Sequence, residues 1–386
     1  TTGTNGTAVG HNAGLDQTTG NNNTAIGKSA LEQNESGSNN TAVGTIALDA
    51  LTTTSNNTAV GSHAGTSLTG GDGLTAVGNS AGESLSTGDA NTLVGNNAGQ
   101  YLTTGDNNVA VGSGALKSVS TGSGATGNTA VGINALTSNT TGINLVALGG
   151  NALDANTSGV NNTAVGKACL TTSTTANNNT AMGVSALEAI STGSTNTAVG
   201  VNAGASITTG GQNVIFGYNT DSTGGGGDNR LGFGVSLSLD TNNQVKIGVS
   251  TNFITNNFAS NATWTHSSDE RLKENIENDS LGLSFITDLR TVTFNWKKKE
   301  DIPEEIVGEH RAERDTETQQ HGLIAQEVKA SLDKLGVEEF AGWSEGEGGT
   351  QMVSEAMFVY PLIKAVQELS GQVEDIKAEI ETLKGG

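Results

Sequence analysis

The chain has one cysteine, two prolines, 4% aromatic residues and only 15% charged residues. A lone cysteine excludes an internal disulfide framework and a cysteine-based zinc site. No apolar run approaches the roughly 20 residues that span a bilayer, and no stretch of the sequence reads as a signal peptide, so membrane insertion is not expected. Basic residues are outnumbered, 18 Lys and Arg against 39 Asp and Glu. No basic stripe stands ready for phosphates, so nucleic acid is not an expected partner. No cofactor and no metal is implied. What abounds is glycine, 55 of 386 residues, with Asn, Thr, Ser and Ala. That composition alone suggests disorder. Disordered tracts, however, do not place apolar residues at a fixed long period, and this chain does.

A short motif, most often Asn-Thr-Ala-Val-Gly, recurs with its glycine at Gly10, Gly27, Gly44 and onward to Gly217. Eleven of the twelve intervals are 17 residues; the other, Gly112 to Gly132, is 20, with its extra residues in the Ser/Gly stretch Ser120–Gly127. The residue before the glycine is always apolar. Two before it stands Ala in eleven coils, four before it Asn in ten, and three after it Ala in eleven. Such a period is too long for a helix face or for strand alternation. It predicts one turn of a parallel solenoid per repeat, each column stacking on itself at about 4.8 Å. The large apolar column is expected to fill a narrow interior, Ala to lie where backbones approach closely, Gly to turn the corner, and Asn to form a ladder at a turn. One such column is a thin core, which favours oligomerisation.

These repeats resemble the head repeats of trimeric autotransporter adhesins and similar repeats of phage fibres. The resemblance implies a left-handed trimeric β-roll over 1–220, although 17 residues exceed the usual adhesin coil. Cys169 falls in the small column three after Gly166 and reads as a buried thiol. His11 and His63 read as solvated loop residues. From Asp221 the consensus stops. Gly224–Gly227 marks a change of direction or width, and Gly232–Leu239 and Gln244–Val249 read as strands of a small β collar. Asn252–Thr265 reads as an extended lead to the next domain, so collar and linker together occupy 221–267. The chain starts in mid-repeat, as a piece of a longer protein would.

Past residue 267 the charge density rises. Residues 1–267 hold 13 acids and 5 bases, and residues 268–386 hold 26 and 13. The entry reads His266-Ser267-Ser268-Asp269-Glu270-Arg271-Leu272-Lys273. Then follow Phe294-Asn295-Trp296-Lys297, His321-Gly322-Leu323-Ile324-Ala325-Gln326-Glu327-Val328, and Tyr360-Pro361-Leu362-Ile363-Lys364-Ala365-Val366. Taken in order, these resemble the intramolecular chaperone domain of endosialidases and phage tail spikes, peptidase family S74. The resemblance implies self-cleavage of the Ser267–Ser268 bond, with Ser268 as nucleophile and Lys273 as its base, and a supporting role for His321 and Gln326. A serine hydroxyl needs such a partner, and a lysine serves when burial or charge favours its neutral form. Read locally, Ser268-Asp269-Glu270 is equally an ordinary helix N-cap.

Leu362, Val366, Leu369, Val373, Ile376, Ile380 and Leu383 alternate by four and three, a heptad seam over 361–385 opened by Pro361. Gly371 weakens that helix by roughly 1 kcal/mol. The expected fold is therefore a mostly β parallel solenoid, a trimeric β-roll of 17-residue coils, followed by an α+β chaperone domain (268–386) ending in a coiled-coil helix. The expected function is that of a phage tail fibre or spike segment for host attachment. Its C-terminal domain would drive trimerisation and folding, then leave by autoproteolysis. Expected partners are a homotrimer, a host-surface glycan or protein receptor, and other tail proteins through a missing N-terminal part. The rod would reside in the virion tail and the freed chaperone in the host cytoplasm. The alternatives are a structural spacer, or a bacterial adhesin stalk with an uncleaved trimerisation domain. A glycosidase needs paired carboxylates, and the rod's acids read as scattered, with no repeated column.

Overall fold

The structure is a computed structural model that describes residues 3–117, 124–257, 268–303, 316–346 and 349–385. Ser120–Ser123, the 258–265 stretch of the expected linker, His266 and Ser267 lie outside the described residues. The chain divides into two compact units, Thr1–Ser267 and Ser268–Gly386.

In the first unit the Thr-Ala-Val tripeptides, rich in β-branched residues, form thirteen three-residue strands, from β1 (Thr7–Val9) to β13 (Val214–Phe216). Each pairs in parallel with the next at a one-coil offset, as in Thr163↔Thr180 and Val165↔Met182. The ladder runs unbroken through the 20-residue interval, where Val109 pairs with Thr129. The motif glycines turn the corner with φ between 126° and 145°. Their Cβ positions are also closed: a methyl on Gly95 would lie 2.4 Å from the Gly112 carbonyl oxygen. Both constraints exclude any side chain there.

The large apolar column does not fill the interior. Strand alternation lets one of two neighbours face inward, and the inward residue is the Ala two before the glycine, fully buried at Ala59, Ala110 and Ala164. The following residue faces out, with Val77 36%, Met182 45% and Phe216 38% exposed. The rest of the core comes from the Ala column three after the glycine and from leucines in a turn. Leu48, Leu116, Leu136 and Leu153, four residues after the glycine, are buried in left-handed backbone with φ near +50°. That conformation costs roughly 1–2 kcal/mol, and burying the side chain contributes about 1.5–3 kcal/mol. Burial wins. Where glycine takes that position (Gly65, Gly82, Gly99), a leucine three residues on fills the space instead: Leu68, Leu85 and Leu102.

The asparagine ladder exists, but inside the rod. Asn179, Asn196 and Asn213 are buried. Asn196 N–H donates to Asn179 Oδ1 (2.9 Å), and Asn196 Oδ1 accepts from Asn213 N–H (3.0 Å). The left-handed backbone expected of it belongs to the preceding residue, as at Asn22, Asn161 and Asn178. Those form a second, exposed ladder.

Solenoid geometry outlasts the consensus. β14 (Asp221–Ser222) and β16 (Ser238–Leu239) pair with each other. β15 (Leu231–Val235) stacks on β13 at the 17-residue offset, and β17 (Gln244–Val249) stacks on β15 with Gly234 opposite Gly248. The expected separate collar is thus a continuation of the same sheet, which makes about fourteen turns. β18 (Asn252–Asn257) then folds back antiparallel on β17. The 252–257 part of the expected extended lead is therefore a hairpin strand.

The second unit is mixed. Helices α1 (Leu283–Asp288) and α2 (Ala325–Leu335) pack around Phe285, which stacks on Phe358 and meets Phe340 edge-on. Leu281, Val328 and Leu332 complete this core. Two short antiparallel strand pairs, β19 (Val292–Phe294) with β20 (Gln320–Gly322) and β21 (Trp343–Glu345) with β22 (Gln351–Val353), accompany it. Helix α3 (Val359–Gly385) is anchored by its first turns, where Pro361 and Ala365 are buried and Glu368 accepts the Leu283 N–H at 2.7 Å. Beyond Glu368 it buries nothing: Leu369, Val373, Ile376, Ile380 and Leu383 are all exposed.

Candidate active site

Ser268 opens the second unit, and one 3₁₀ turn, Glu270–Leu272, follows it. The cap of that turn is Asp269, whose carboxylate accepts the Arg271 N–H at 2.9 Å. The Arg271 guanidinium grips the same carboxylate at 2.6 and 3.0 Å. These contacts hold the Asp269 carboxyl below, and Arg271 above, their ordinary ranges. The capping role open to Ser268 in the sequence is therefore taken by its neighbour. The turn ends at Lys273, whose backbone N–H bonds the Glu270 carbonyl at 3.0 Å. This carries the lysine back over the serine, and Lys273 Nζ donates to Ser268 Oγ at 2.8 Å. The lysine stands in extended backbone just past the turn rather than within it. Residues 268–280 are all exposed.

His321 sits on β20 opposite Thr293 and lines an open groove with Glu355 and Phe358. Gln326, at the start of α2, lines an adjoining groove with Trp296, Pro303 and Met352. Both side chains are exposed, and among the described residues no hydrogen bond joins either to Ser268 or Lys273. Glu355, which borders both grooves, stood in none of the sequence motifs. Near α2, Arg290 pairs with Glu327 and lowers its pKa. Among the described residues no group of three or more His, Cys, Asp or Glu could hold a metal. No helix there is long and apolar enough to cross a membrane.

On the rod, the carboxylates do recur in columns. Asp72, Asp89 and Asp106 stack at one coil spacing, each accepting a backbone N–H from the preceding coil. Glu32 and Asp49 share a second column, where burial first and the Glu32 charge second raise the Asp49 carboxyl. His63 lies in left-handed backbone, half-buried, with Nδ1 2.8 Å from Ser62 Oγ. Cys169 is buried with its thiol 2.6 Å from the Gly183 carbonyl oxygen.

Residues 268–337 match the Peptidase S74 family, described as chaperone of endosialidase. No curated protein and no solved structure matches the chain. The family match supports a folding-chaperone role on a fibre-like protein and suggests self-cleaving peptidase activity. Residues 268–337 are similar to the chaperone of endosialidase, and behind a parallel β-solenoid that match fits a phage tail fibre with a C-terminal chaperone domain.

Proposed function

We propose that the chain is a segment of a phage tail fibre or spike for host attachment. Its C-terminal unit aligns three copies, assists their winding and is then released by cleavage of Ser267–Ser268. The observation that carries this reading is the Lys273 Nζ–Ser268 Oγ hydrogen bond at the first residue of the matched domain. Ser268 Oγ attacks the Ser267 carbonyl carbon while Lys273 takes the hydroxyl proton. The C–N bond breaks, the Ser268 amine leaves with that proton, and Ser267 is held as an ester on Ser268 Oγ. Water then hydrolyses the ester, giving a Ser267 carboxylate and a free Ser268 hydroxyl.

Exposure argues that one chain alone is a poor catalyst. A lysine acts as base when its neutral form is favoured by burial or neighbouring charge, and both members of the pair lie open to solvent. Packing of three junctions supplies that burial, so the cut follows assembly. The exposed seam of α3 is the matching association surface in this unit. After release, the rod has lost the element that guides refolding and persists kinetically. The polar Asn, Thr and Ser turns then face a host glycan or protein receptor in the virion tail.

Mass spectrometry of freshly expressed protein tests this. Wild type should yield a fragment beginning at Ser268, and Ser268→Ala should yield intact chain with an unchanged far-UV spectrum. A fragment beginning at residue 268 from the Ser268→Ala chain overturns the assignment of the nucleophile. Intact wild-type trimers point instead to an uncleaved trimerisation module.

A further inference from the structure

The outward column identified above is a continuous surface. In β1–β13 the residues one and three before each glycine share the outer face, and none of them is charged. Thr or Val occupies the first-encountered position, and Val, Ile, Leu, Met or Phe the second. In the second column Ile26, Val60, Val77, Val111, Val131, Leu148 and Met182 are 36–45% exposed, Val43, Val94 and Val165 are half-buried, and the column ends in Phe216 stacked on Phe233 with ring centroids 5.5 Å apart. The extra residues between Gly112 and Gly132 leave this ladder unbroken, so the insertion is accommodated away from the strip.

We infer that this strip is where the rods of neighbouring copies of the chain meet, parallel and in register, along the length of the sheet. This rests on the homotrimer of the proposed function and names the face it uses. Three arguments support it. First, about fourteen turns at roughly 4.8 Å give a strip about 65 Å long. At roughly 10 Å wide its area is on the order of 700 Å², close to the roughly 800 Å² per partner of a stable interface. Second, a face of that length with no charge and one wholly apolar column is unusual for a free surface. Third, a partner with any other axial repeat would lose alignment within a few coils. A second copy of the rod matches every coil at once. Parallel pairing also sets the aromatic end against its own counterpart.

Disulfide trapping tests the face and the direction together. In a Cys169→Ala background, which restores the usual residue of that column, Val77→Cys places a thiol on the strip. Ser67→Cys places an exposed thiol in the same coil outside the strand. Mild oxidation should give cross-linked chains on a non-reducing gel for Val77→Cys and not for Ser67→Cys. An antiparallel pair would hold the two Val77 positions roughly 29 Å apart, six coils at about 4.8 Å, and would not cross-link. The mass in solution separates the two readings. Trimers that fail to cross-link through Val77→Cys overturn the strip and leave the trimer standing. A chain of monomeric mass overturns both.

Discussion

The buried asparagine ladder sets the cost of a single truncation inside the rod. Asn196→Ala leaves two buried backbone groups unpaired at once. The Asn213 N–H loses its acceptor, Asn196 Oδ1 at 3.0 Å, and the Gly210 carbonyl loses the Asn196 Nδ2 donor at 2.9 Å. Both groups sit where water does not reach, and leaving a buried polar group unpaired costs about 1–3 kcal/mol. The expected loss is therefore about 2–6 kcal/mol for the pair. Asn161→Ala is the control, since its Nδ2–Asn178 Oδ1 bond of 3.2 Å is exposed and water replaces it. What remains there is the left-handed backbone at φ 57°, worth about 1 kcal/mol to a residue with a Cβ and no local hydrogen bond. Urea unfolding followed by far-UV circular dichroism measures both as midpoint shifts at constant slope. Asn196→Asp adds a sign. It keeps the acceptor for Asn213 N–H but buries a carboxyl facing Asn179 Oδ1, so desolvation raises its folded pKa above the unfolded value near 3.9. Stability linked to the protonated form is present below the unfolded pKa and lost as pH rises through the folded one. The variant should be least stable at neutral pH. An Asn196→Ala loss no greater than that of Asn161→Ala would refute the ladder as a stabilising element.

Gly95→Ala should destabilise the rod more than a helix-interior glycine change of about 1 kcal/mol, because its Cβ meets the Gly112 carbonyl at 2.4 Å as well as strained backbone. A melting temperature within a degree of wild type would contradict the corner geometry. Burial pushes the Cys169 thiol up, so alkylation at pH 8 should be slow in the folded rod and fast in urea; equal rates would show an open site.

The period, the corner glycines and the fold class were legible because each rests on a constraint that admits few residues. Gly95 must be glycine, whatever its neighbours do. The facing of the strand was not legible, since Ala76 and Val77 are adjacent and alternation alone leaves open which points inward. Size suggested Val, and the narrow coil chose Ala. The buried leucines at left-handed positions were invisible for another reason: no propensity rule places Leu there, and only the packing gain justifies it. The continuation to Gly248 was missed because sequence consensus ended while backbone shape did not. In the second unit, ordered motifs singled out Ser268 and Lys273, which the fold brings within 2.8 Å of each other. Asp269 as the cap, and Glu355 beside the His321 groove, depended on turn and chain geometry that no motif carried.

The placement of the core changes why such a rod would need an alignment domain. Each coil buries its own Ala, Leu and Asn columns without a partner, so association is not required to give the chain an interior. The difficulty is register. If rods pair through a strip whose chemistry repeats every coil, sliding one copy by a single coil exposes only about one-fourteenth of the contact and leaves every other pair chemically similar. The strip itself therefore discriminates weakly between aligned and slipped trimers. The features that break its symmetry are few, chiefly the aromatic end at Phe216 and Phe233 and the 20-residue interval. A C-terminal unit that gathers three chains through a separate heptad seam would fix the end of the stack before the coils pair. Winding from that end then propagates the correct register, since each new coil adds contacts only beside one already placed. Once the last coil is seated, such a rod would hold its register by its full length, and the proposed cleavage would then remove the aligning unit without loss.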